Sequence, residues 1–93
     1  MEDALDVNRQ ILVELFHAIV DEGSAQVRRL VVERALAEKV RLRNVFYPEV
    51  AADLAARGGR TTPALWDGTT LIEGAEPVVA ALERLAKGKA EEQ

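Results

Sequence analysis

Gly59-Arg60-Thr61-Thr62-Pro63-Ala64-Leu65-Trp66-Asp67-Gly68-Thr69-Thr70-Leu71-Ile72-Glu73-Gly74 carries the densest run of structural signals in the chain. Two short apolar runs are joined through Asp67-Gly68. Asp-Gly between such runs predicts an antiparallel hairpin with a type I′ turn, in which both central residues take positive φ. Pro63 has no N–H and cannot sit inside a ladder, so it is expected at the start of an edge segment. A Thr-Pro bond is also a place where a cis peptide is admissible.

Outward from the hairpin, each flank carries its own signals. On the C-terminal side, Pro77 marks a first helical turn, and the helix dipole favours Glu76 beside it. Val78, Val79, Leu82, Leu85 and Ala86 form the stripe of a helix that Gly88 should stop, with 89–93 as a flexible tail. On the N-terminal side, Tyr47-Pro48-Glu49 opens a helix with Val50, Leu54 and four alanines, closed by Gly58-Gly59. Val40–Phe46 alternates and reads as a strand with one wet side. Asp21 or Ser24 is the N-cap of a further helix, which buries Val27, Leu30, Val31 and Ala35, flanks them with Val32 and Leu36, and runs to Ala37 or Glu38. Gln10–His17 is nearly all apolar and suits a strand buried on both faces. Glu14 breaks that run, as an edge position or as the partner of a basic side chain. His17 reads as an ordinary packed histidine. Residues 1–9 are polar and acidic and are expected to be a flexible segment.

The expected order is β-α-β-α-β-β-α. A right-handed crossover makes the first strand pair parallel, and the Asp-Gly turn makes the last pair antiparallel. The fold class is therefore α/β: one domain over 10–88, with a mixed four-stranded sheet and helices on both faces.

Composition bounds the function. Ninety-three residues with 48% apolar and 30% charged content make one globular domain. The net charge of −4 argues against nucleic acid as a partner. Between Ser24 and Arg43, six basic residues (Arg28, Arg29, Arg34, Lys39, Arg41, Arg43) face only Glu33 and Glu38. They read as a solvated helix face plus an edge strand, or as a patch for an acidic partner or a small anion. There is no cysteine, which excludes a disulfide, a thiolate metal site and a catalytic thiol. With a single histidine, no zinc or haem site is expected. No apolar run approaches the ~20 residues of a membrane span. The acidic start is wrong for a signal peptide, so the cytoplasm is the expected compartment.

The chain resembles the thioredoxin-fold superfamily in its glutaredoxin-like form over about residues 10–87. The apolar run Ile11–Phe16, the helix after it, Thr62-Pro63-Ala64-Leu65, and Asp67-Gly68 followed by Glu73-Gly74-Ala75-Glu76 carry the likeness. The resemblance implies a cis Thr62–Pro63 bond whose neighbouring backbone pairs with a bound peptide. It also implies a glycine turn at Gly74, Ala75 and Glu76 that receives the γ-glutamyl end of glutathione. The family's Cys-x-x-Cys falls on Asp21, Glu22, Gly23 and Ser24, where no thiol stands. Dithiol oxidoreduction is thus excluded.

Two functions follow from the resemblance, and a third from the residues themselves. The first is a redox-inactive binding domain whose cleft lies between 18–24, 62–63 and 74–76 and takes a protein segment. The second is an enzyme for glutathione or another thiol peptide. In it Ser24 replaces the cysteine, Thr62 pairs with the ligand backbone, Glu76 meets the ligand ammonium and Arg28 or Arg29 meets a carboxylate. The third is a structural or regulatory homodimer, formed through an edge strand or through Trp66, which otherwise fills the core. Neither a metal nor a membrane enters any of the three.

Overall fold

The computed structural model describes residues 12–91; the segments 1–11 and 92–93, on which the expected flexible ends largely fall, lie outside the described residues. In order, the elements are β1 (Val13–His17), α1 (Glu22–Glu33), β2 (Val40–Asn44), α2 (Pro48–Ala56), β3 (Ala64–Trp66), β4 (Leu71–Glu73) and α3 (Ala75–Glu91). They build a four-stranded mixed sheet in the order β2-β1-β3-β4. β1 and β2 are parallel, with Leu15 opposite Leu42. β1 and β3 are antiparallel, as are β3 and β4.

Leu15 and Phe16 are neighbours in a strand, so they point to opposite faces. Both are wholly buried. Leu15 belongs to the larger apolar cluster, with Val13, Val27, Val31, Leu36, Val40, Leu65, Val78 and Leu82. Phe16 centres a smaller one with Val50, Leu54 and Ala64, against which Trp66 packs half-buried. β1 is therefore buried on both faces, as its continuous apolar run requires.

Several boundaries depart from the sequence reading. α1 stops at Glu33 rather than at Ala37 or Glu38. Ala35 turns into the left-handed region at φ 54°. Its N–H bonds to the Val32 carbonyl, and the Leu36 N–H bonds back to the Val31 carbonyl. This is the double hydrogen bond that closes a helix through a left-handed residue, a position glycine usually takes. Burial of Leu36 beside Val31 accompanies the turn; Ala35, expected in the stripe, and Val32, expected on its flank, are exposed. A Cβ in this region costs roughly 1–2 kcal/mol, partly offset by the greater chain entropy of glycine. Ala35→Gly is expected to stabilise the protein by about 0.5–1 kcal/mol, read as a rise of a few degrees in thermal midpoint.

At the other end, α3 runs through Gly88 to Glu91. Gly88 does not take positive φ, and one glycine among good helix formers costs only about 1 kcal/mol. β2 ends at Asn44, two residues before Phe46. The hairpin is antiparallel as expected, but its connection is a four-residue loop, Asp67–Thr70. Only Gly68 in it has positive φ, at 102°, so the turn is not type I′. Asp67 caps the loop instead, accepting from the N–H groups of Thr69 and Thr70 at 2.9 and 2.8 Å. Pro63 precedes an interior strand, not an edge one. It costs no ladder bond because it stands just outside β3. The Thr62–Pro63 peptide is cis.

Candidate functional site

The segments 18–24, 62–63 and 74–76 do converge, and a hydrogen-bond chain stitches the first two together. Asp21 is the N-cap of α1, its Oδ1 accepting from the Gly23 N–H at 3.2 Å. Its Oδ2 accepts from the Ser24 hydroxyl at 2.9 Å and from the Thr62 hydroxyl at 3.0 Å. The Ser24 Oγ in turn accepts from the Ala18 N–H at 3.0 Å. Ser24 is therefore not the cap. It stands in the first helical turn, with no exposed surface. Gly23 closes the third side: a Cβ there would meet Pro63 Cδ and Ala75 Cβ, each at 3.2 Å. The Gly74 N–H donates to the Pro63 carbonyl at 2.9 Å. From outside, Glu73 Oε1 accepts from the N–H groups of Arg60 and Thr61 at 2.9 and 3.0 Å, which fixes the run into Pro63.

Burial is the largest single influence on the Asp21 carboxyl and would raise its pKa. The donors Ser24, Thr62 and Gly23 together outweigh it and hold the pKa below the ordinary carboxylate value. A depressed pKa adds stability that is complete above the unfolded value, near ~3.9, and is lost as pH falls through the folded one. Asp21→Ala removes the cap and strands two hydroxyl donors, for an expected loss of about 2 kcal/mol. Asp21→Asn should lose less. Urea titrations of both chains between neutral pH and pH 3 check this: the acid-dependent part attributable to Asp21 should vanish in Asp21→Asn.

Chemically the site is spent on itself. The Ser24 hydroxyl both donates and accepts inside the chain, which leaves it no proton for a ligand sulfur. Glu22 and Glu76 are exposed. Arg28, a candidate for a ligand carboxylate, instead donates to His17 Nδ1 and to the Ala18 carbonyl, each at 3.1 Å. An arginine can only donate, so Nδ1 is the acceptor and the His17 proton sits on Nε2. Burial first, and the Arg28 charge second, hold the His17 pKa down, so the ring is neutral. Arg29 lines a shallow polar groove of about 290 Å³ with Glu22, Gly23 and Gln26. Two members of the basic excess form ion pairs: Arg34 with Glu83, and Arg43 with Glu14 and Asp53. Among the described residues, no three metal-ligating side chains lie close enough to hold an ion, and no helix is long and apolar enough to cross a membrane.

Two features go beyond the sequence reading. One is the ionic cluster on Glu14: a basic partner is one of its two readings, but the partners themselves, Arg43 of β2 and Arg57 at the end of α2, are named only by the fold. The other is a set of exposed apolar side chains at the C-terminal ends of β1 and β2: Ile19, Val20, Phe46 and Tyr47. Ile19-Val20 in a nominal loop was the available signal.

Compared with family models, curated proteins and solved structures, the chain has no significant match to any of them.

Proposed function

We propose that this chain is a redox-inactive, thioredoxin- or glutaredoxin-like domain that works by binding an extended peptide segment. The finer fold assignment, β-α-β-α-β-β-α with helices on both faces, is part of the proposal. Two apolar clusters on opposite sides of β1 and a proline segment against the start of α1 support it. The observation that carries the binding role is the Thr62 main chain. Its side chain is held by Asp21, yet among the described residues its N–H and C=O have no hydrogen-bond partner. An open donor and acceptor on a fixed segment suit the backbone of an added strand. The self-satisfied Asp21–Ser24 pair speaks against the alternative of an enzyme for glutathione, which needs the Ser24 hydroxyl.

Amide shifts and amide exchange of the labelled protein test both readings. Millimolar reduced glutathione should leave residues 21–24, 62–63 and 74–76 unmoved. An extended peptide selected from a random library should slow exchange of the Thr62 N–H. Movement of those residues with glutathione, or bound peptides that leave Thr62 exchange unchanged, would overturn the proposal.

A further inference from the structure

Beyond the Thr62 segment lies a second surface with different chemistry. A groove of about 350 Å³ runs between two loops, lined by Ala18, Ile19, Val20, Asn44, Val45 and Phe46. Around it Val20 is 97% exposed, Phe46 80%, Ile19 61% and Tyr47 51%. Four neighbouring apolar side chains so open to water are unusual on a small domain and mark an interaction surface.

The loops that carry them are pinned, not slack. The Ala18 N–H is held by Ser24, and its carbonyl by Arg28 and by the Asp21 N–H. The Val45 N–H bonds to the His17 carbonyl, and the Tyr47 N–H to the Asn44 carbonyl. Asn44 Oδ1 accepts from the Phe46 N–H at 2.9 Å. The Phe46 and Tyr47 rings meet edge to face, 5.5 Å between centroids at 83°. A pre-ordered apolar surface loses little entropy when it is covered.

We infer that this surface is the contact between two copies of the chain. A two-fold interface must carry its own complement, a protrusion and a recess on one patch. This patch has both: Val20 and Phe46 stand out from the walls of a groove with room for a side chain. None of the groove's lining residues is charged, so no charge is left buried when a copy closes on it. The area fits a weak pairing of copies. At roughly 150–250 Å² for an aromatic side chain and less for Val20 and Ile19, the exposed fractions amount to on the order of 500 Å² per chain. Doubled, that is about 1,000 Å², in the range of weak, transient contacts just under the ~1,200–2,000 Å² of stable interfaces. The dimer is therefore weak and forms with rising concentration.

The inference stands apart from the peptide reading, since neither glutathione nor peptide results at Thr62 bear on it. Sedimentation equilibrium of the full chain, from micromolar to millimolar, tests it. The weight-average mass should rise from the monomer's 10.2 kDa toward twice that value. Val20→Lys and Phe46→Lys, both at exposed positions, should each weaken association at least tenfold. Val32→Lys, equally exposed but on α1, should leave it unchanged. Isotope-filtered spectra of mixed labelled and unlabelled chains should show Val20 methyls near Phe46 rings of the other copy. A monomer throughout, association indifferent to both groove variants, or intermolecular contacts elsewhere would each overturn the inference.

Discussion

A Phe16→Ala chain is expected to lose about 4 kcal/mol of unfolding free energy, a large part of the ~5–15 kcal/mol that holds a domain together. Phe16 is wholly buried and is the largest side chain of the smaller cluster. Its neighbours Val50, Leu54 and Ala64 are small or few, so little can collapse into the space. The ring has a second role. The guanidinium carbons of Arg43 and Arg57 lie 5.4 and 5.7 Å from its centroid. Each such contact is worth about 0.5–1 kcal/mol at a partly exposed site. Phe16→Leu keeps most of the volume but loses the ring face, so a loss of about 1.5 kcal/mol is expected. Urea unfolding separates the two: the midpoint should fall in that order while the slope stays constant. A loss below about 2 kcal/mol for Phe16→Ala would show that this side of the sheet repacks freely.

The second large effect is expected at Glu14. Its Oε1 accepts from Arg43 and, at 2.9 Å, from Arg57. Arg43 also donates to Asp53 at 2.7 Å, and Arg57 lies 5.0 Å over the Trp66 ring. One carboxylate thus holds two guanidiniums in place over the aromatic pair. Removing one member of a fully buried ion pair costs about 3–5 kcal/mol. These side chains keep some contact with water, so Glu14→Gln is expected to cost about 2 kcal/mol. Burial acts first on the Glu14 carboxyl and would raise its pKa; hydrogen bonds from Arg57 and Arg43 more than reverse it. The stabilisation should therefore be complete at neutral pH and fade as pH falls through the depressed folded value. A cycle of Glu14→Gln, Arg57→Gln and the double variant measures the coupling. Additive losses would show that the arginines are held by the rings alone.

Much of the fold was legible because each element carries its own punctuation. Pro48 opens α2, Pro77 sits in the first turn of α3, and Asp67-Gly68 places the hairpin whatever its turn type. The boundaries that slipped are those set by distant packing. Nothing local to Ala35 announces a left-handed residue; the need to bury Leu36 under α3 does. Gly88 looks like a stop, yet its neighbours favour helix strongly enough to pass it. The site divides the same way. Asp21 is a readable cap, since its partners lie two and three residues on. Its bond to Thr62 spans 41 residues, a distance no spacing rule reaches. Glu14 stood out as a charge in an apolar run, but only the fold brings Arg43 and Arg57 to it.

The place of β2 at the sheet margin bears on edge-to-edge pairing between copies. An open strand edge is a template for another chain. If two β2 strands met antiparallel about a two-fold at Leu42, Arg41 of each would face Arg43 of the other. Centring the axis on Arg41 or on Arg43 sets an arginine against itself. Like charges directly opposite repel, and Arg43 cannot swing aside without abandoning Glu14 and Asp53. The ion pairs that brace the aromatic face thus also keep a cation fixed at the margin, where it opposes the addition of a second β2 strand.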